Sequence, residues 1–179
     1  VKVVVAIDPS INYCGYAVYV ETDKWRLQEK GLFKPDKGIE DEVKKADNIY
    51  EKCKKLLYDI GSGLHLAGEL NKESIILVVE NPAHWSTGGY HARESGNLQK
   101  LILLVGKLST LCVNTVLVHP HEWKGQLTKP VCRNRMVRNF ERAGAKQLAI
   151  EMETLNHNIM DAVSIGYWYI FRKPKGKMI

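Results

Sequence analysis

Val3-Val4-Val5-Ala6-Ile7-Asp8 is an unbroken apolar run that stops on a carboxylate, and Ile75-Ile76-Leu77-Val78-Val79-Glu80 repeats the pattern further along the chain. Runs of this length, rich in β-branched residues and without polar alternation, predict strands buried on both faces, hence at the centre of a sheet. In an open α/β sheet, functional groups collect beyond the carboxyl ends of the strands, so Asp8 and Glu80 are expected to lie close together. A third acid, Asp161, opens the apolar helical pattern that runs on to Tyr169. Neighbouring carboxylates repel, and without a cation at least one takes up a proton. The trio outlines a divalent-metal site.

Working outward, segments 2–8, 14–20 and 25–34 read as an antiparallel meander, with turns at Pro9-Ser10-Ile11-Asn12-Tyr13 and Glu21-Thr22-Asp23. Apolar residues at helical spacing predict a helix over 39–60, with a solvated lysine face, and Gly61, Gly63 and Gly68 predict a loop after it. A polar, glycine-bearing segment follows Glu80, then a helix over 98–111 and a strand over 113–119. Pro120-His121-Glu122-Trp123-Lys124-Gly125 reads as a loop, 132–143 as a basic helix and 158–172 as the final helix. Strands first, then helices alternating with strands, predict an α/β fold with a mixed five-stranded sheet flanked by helices. The 179 residues fit one domain, 1–179.

Lys and Arg number 26 against 20 Asp and Glu, a net charge of +6 that favours a polyanionic partner. No apolar run approaches the roughly 20 residues of a membrane span, and the first residues form a strand pattern rather than a leader. A cytoplasmic protein without a membrane partner is expected. Cys14, Cys53, Cys112 and Cys132 have no paired metal-ligand spacing; all four are expected reduced, the first three within apolar patterns and Cys132 in a basic stretch where it could be exposed.

The segments Ala6-Ile7-Asp8-Pro9-Ser10 with Gly15-Tyr16-Ala17-Val18, then Val78-Val79-Glu80-Asn81-Pro82, then Asn158-Ile159-Met160-Asp161-Ala162-Val163, resemble the RNase H and integrase superfamily, and within it the RuvC-type Holliday junction resolvases. The resemblance covers most of the chain through the order and spacing of the three pieces. It implies an RNase H-like fold, a homodimer on four-way junction DNA, and paired symmetric nicks. It also implies two Mg2+ per active site, with Mn2+ as a substitute, because hydrolysis of a phosphodiester needs an activated water and a neutralised phosphorane. Asp8 would bridge the ions, with Glu80 on one and Asp161 on the other. The family's fourth group, acidic or His, stands three residues before the last Asp. Here Asn158 occupies that place and His157 precedes it. Both share a helix face with Asp161, so either the Asn158 carbonyl or the His157 imidazole can complete the site, and His157 can equally cap the helix.

Trp85, with Tyr90, His84 and His91, follows Glu80 beside Gly88-Gly89 and is the aromatic expected to stack on an unpaired base or wedge a junction. Lys124, Lys129, Arg133, Arg135 and Arg138 form the basic footprint for phosphates, Lys124 being favoured beside the metals. The helix over 98–111 carries more apolar surface than one buried face needs, which suits a twofold interface or an internal helix. An RNase H-type or other branched-DNA nuclease and an inactive junction-binding protein are the competing readings. No Gly-x-x-x-x-Gly-Lys-Ser/Thr loop supports a nucleotide-binding alternative.

Overall fold

The computed structural model describes residues 1–66, 74–82, 97–125 and 127–172. Five strands form one sheet in the order β3-β2-β1-β4-β5: β1 (Lys2–Asp8), β2 (Cys14–Glu21), β3 (Trp25–Phe33), β4 (Ile75–Glu80) and β5 (Asn114–Val118). β1, β2 and β3 form the expected antiparallel meander, and β1, β4 and β5 run parallel. The sheet is therefore mixed, with β1 at its centre. Val3 to Ile7 are all buried, as a central strand covered on both faces requires.

Because side chains alternate along a strand, each face of the sheet takes its own half of the sequence. Val3, Val5, Ile7, Leu77 and Val79 pack under α1 (Glu42–Leu66) and α2 (Asn97–Leu108) through Ala46, Ile49, Cys53, Leu104, Val105 and Leu108. Val4, Ala6, Ala17, Tyr19, Ile76 and Val78 pack under α3 (Pro120–Trp123), α4 (Lys129–Arg142), α5 (Lys146–Thr154) and α6 (His157–Phe171). The even-numbered residues of β1 and β4 thus face α6.

α6 sits unusually close to the sheet, and two glycines permit it. A Cβ on Gly15 of β2 would lie 2.0 Å from the Asn158 carbonyl oxygen, and one on Gly166 would lie 2.4 Å from the Tyr19 ring. The buried Tyr19 hydroxyl donates to the Val163 carbonyl at 2.7 Å, adding a polar tie to the same contact. Asn156 caps α6, its side chain accepting from the Asn158 N–H at 2.9 Å.

Several boundaries differ from the sequence expectation for physical reasons. Gly61 and Gly63 lie inside α1 rather than in a loop, because the helix carries its apolar stripe on to Ile60 and tolerates two poor helix formers near its end. Gly68 lies outside the described residues. α2 stops at Leu108, where the Ser109 and Thr110 hydroxyls donate to the Gly106 and Lys107 carbonyls and the backbone tightens into a turn. α4 begins a turn earlier than expected, since Pro130 suits a helix's first turn. Gly144, at φ 76°, separates α4 from the unforeseen α5. All four cysteines are free, but Cys132 is buried against the core rather than exposed. Among the described residues no helix is long and apolar enough to cross a membrane.

The glycines make opposite predictions by thermal melting. Gly15→Ala forces Cβ into helix backbone that has no rotamer to yield, and should destabilise by about 1–3 kcal/mol or more. Gly61→Ala, in a helix with open space around it, should stabilise by roughly 0.5–1 kcal/mol. Equal effects at both positions would refute the close docking of α6.

Candidate active site

The parallel register sets the first two carboxylates. Ala6 pairs with Val78 and Ile7 with Val79, so one step further Asp8 stands level with Glu80. Both fall on the face covered by α6, on strands whose Cα atoms lie about 4.8 Å apart. α6 supplies Asp161, 7 % exposed, from its second turn. The antiparallel partner of Asp8 is Gly15, the residue that admits the start of α6, so the helix terminus and the two strand ends meet at one level.

Electrostatics report the same convergence. Burial, then the charges of Glu80 and Asp161, hold the Asp8 carboxyl well above the ordinary carboxylate range. Burial raises Glu80 and Asp161 as well. Lys124 and Lys129 oppose the rise at all three acids, His157 and Arg133 at Asp161. Asp8 and Glu80 nonetheless keep part of their surface open to solvent. Neighbouring like charges and desolvation are what a cation would relieve, and hard carboxylate oxygens are the donors that Mg2+ or Mn2+ prefers. The donor chemistry therefore fits. Among the described residues no three His, Cys, Asp or Glu side chains form a ready metal cage.

The other expected residues separate into groups. His157 is exposed at the first position of α6, one turn from Asp161. Asn158 is buried, and its Nδ2 donates to the Tyr13 carbonyl, which fastens the β1–β2 turn to α6. Lys124 is half-buried beside all three carboxylates, and Lys129 is exposed at the start of α4. The Arg133 guanidinium donates to the Glu153 and Leu155 carbonyls at 2.7 and 3.0 Å and so ties α4 to the end of α5. Arg135 and Arg138 are exposed on the outer side of α4. Trp85, with Tyr90, His84 and His91, lies outside the described residues.

One residue escaped the sequence reading. Trp123, 7 % exposed in the short helix α3, donates its Nε1 hydrogen to Glu80 Oε2 at 2.7 Å. Its place after a Pro-initiated turn hinted at a fixed side chain, but no spacing rule links position 123 to position 80.

The raised carboxyls have a thermodynamic consequence. Unfolded, these acids titrate near 4; folded, they keep protons to higher pH, so the folded state binds more protons in the window above 4. Metal-free stability at the site therefore declines as pH rises from the unfolded value through the raised folded values, then levels off. Asp8→Asn should melt higher than wild type in EDTA at pH 7, with the difference shrinking towards pH 4. Millimolar Mg2+ should raise the wild-type melting temperature and leave the variant unmoved. A variant that melts lower than wild type in EDTA at pH 7 would show that the carboxylates carry no mutual strain.

No protein-family model and no curated protein sequence matches the chain. Among solved structures, Thermus thermophilus RuvC in complex with Holliday junction substrate superposes at TM-score 0.58 and 17 % identity, over 93 % of this chain and 90 % of that one. Another T. thermophilus RuvC structure superposes at 0.56 and 17 %, over 94 % and 96 %. Likeness at such identity speaks for the backbone, and the mixed sheet in the order β3-β2-β1-β4-β5 with its flanking helices is accordingly the RNase H-like fold in its RuvC form.

Proposed function

We propose that the chain is a metal-dependent, structure-selective endonuclease that resolves Holliday junctions by paired symmetric nicks. The observation that carries this reading is the level pairing of Asp8 and Glu80 beneath Asp161, with Lys124 and Lys129 beside them. Three carboxylates whose charge is poorly tolerated bind cations; two lysines at the rim bind phosphate. That combination suits a phosphodiester. The RuvC-like backbone and the net charge of +6 support DNA as its source.

Two Mg2+ ions, when bound, would supply an activated water and neutralise the charge that develops on phosphorus and on the leaving oxygen. Asp8 would bridge them, with Glu80 and Asp161 holding one each. Lys124, half-buried, would meet the scissile phosphate, while the exposed Lys129, Arg135 and Arg138 would bind flanking phosphates. Arg133 has two N–H groups committed to carbonyls, so its phosphate contact would come from the remaining donors. His157 would exchange a proton at the solvent edge. The Asn158 amide would hold the β1–β2 turn, leaving Oδ1 for the metal. Trp85 would stack on an unpaired base. Ile102 and Leu103, 41 and 40 % exposed on α2, would meet their symmetry mates in a homodimer that presents two sites to two strands. The setting would be a DNA-containing compartment: bacterial cytoplasm, that of a host for a phage protein, or an organelle.

A second reading, an inactive junction-binding protein, draws on the neutral residue at the fourth position. Nicking of a synthetic four-way junction, a duplex and an RNA–DNA hybrid separates the possibilities. Wild type should place symmetric nicks in the junction with Mg2+ and none in EDTA, and Asp8→Asn should lose about a hundredfold or more. Lys124→Ala should weaken junction binding and lower the salt slope by about 1. Tight, metal-independent binding without nicks would establish the inactive protein, and preferential cutting of the hybrid would establish an RNase H-type nuclease.

A further inference from the structure

The indole of Trp123 holds two opposite charges at once. Its N–H edge donates to Glu80 Oε2 at 2.7 Å, and its ring face lies under the Lys124 ammonium, 4.9 Å from the centroid. An aromatic ring is electropositive at its edge and electronegative over its face, so each partner meets the complementary part. The ring itself is fixed. It is buried in the core beneath α6 with Val118, Met136 and Met160, and the Glu122 carboxylate accepts from the His119 N–H at 2.6 Å to close the turn that carries it. Gly125, at φ 62°, ends that turn immediately after Lys124.

Glu80 depends on this arrangement more than its neighbours do. It is the last residue of its strand, its side chain has one more rotatable bond than an aspartate, and its carboxylate accepts the Trp123 hydrogen bond. We propose that Trp123 is a positioning residue: it fixes Oε2 so that Glu80 meets a divalent cation through Oε1, and it parks Lys124 beside the same carboxylate for the incoming phosphate. This rests on the nuclease reading, and concerns how one carboxylate of that site is aimed. Groups that orient metal-binding carboxylates in this way are commonly worth 10–100-fold in metal affinity.

The test replaces Trp123 in the full chain with β-(3-benzothienyl)alanine, which keeps the ring's shape and face and exchanges the N–H for sulfur. Mn2+ binding to the DNA-free protein, read by titration calorimetry or electron paramagnetic resonance, should weaken about tenfold, with a smaller fall of the melting temperature in EDTA than Trp123→Phe causes. In a Glu80→Ala background the same replacement should change Mn2+ affinity less than twofold. Trp123→Phe, which also loses ring area, should show the same affinity loss with a lower melting temperature. Unaltered Mn2+ affinity in the benzothienyl protein, or a loss that persists in the Glu80→Ala background, overturns the positioning role while leaving the nuclease reading intact. A folded wild type that binds no Mn2+ at millimolar concentration removes the nuclease reading and this proposal with it.

Discussion

The parallel pairing of β1 with β4 is the constraint on which the site depends. One register places Val3 beside Ile75 and, carried to the strand ends, Asp8 beside Glu80. A slip of a single residue would turn one strand's whole apolar set to the wrong face and send its terminal carboxylate away from α6. The slip is prevented by the core, since both strands bury side chains on both faces and each face has its own helices to satisfy. Core packing and site geometry are therefore the same fact seen at the middle and at the end of two strands.

That geometry gathers like charges where they are poorly solvated. Burial raises all three acids, repulsion adds to the rise at Asp8 and Glu80, and Lys124 and Lys129 offset part of the cost. The lysines come from α3's end and α4's start, elements that follow β5 and return across the carboxyl ends of the sheet. On the nuclease reading, such a site would be less stable empty than with a cation bound, the ordinary relation between stability and function at a charged centre.

What the sequence disclosed, and what it withheld, follows from the range of the interactions. β1 and β4 were legible because a central strand needs apolar residues at every position, a signal contained in six residues. Asp161 was legible because its helix is apolar nearly all round. α5 was not, since its inward residues, Leu148, Ala149 and Met152, make a short stripe in a polar segment, and the helix is held by α4 through the Arg133 bonds to its last carbonyls. Gly61 and Gly63 were misread because local propensity favours a loop, whereas packing of Ile60 and its neighbours on the sheet prolongs the helix. The Trp123 bond to Glu80 joins residues 43 apart on different elements, and no local pattern encodes it.

The remaining requirement is that α6 hold still. Asp161 is carried by α6, so any play in α6 becomes play in the third carboxylate. Four contacts remove it: Gly15 against the Asn158 backbone, the Asn158 amide on the Tyr13 carbonyl, the Tyr19 hydroxyl on the Val163 carbonyl, and Gly166 against the Tyr19 ring. They lie before, just beyond and well beyond Asp161 along the helix, so they fix its rotation as well as its height. On the nuclease reading Asp161 would be a catalytic group, and displacements of about 1 Å at such a group can cost a hundredfold in rate. Asn158 contributes to that precision through a contact that needs an amide N–H: a carboxylate in its place has no donor for the Tyr13 carbonyl, and the neutral residue is matched to the β1–β2 turn it fastens.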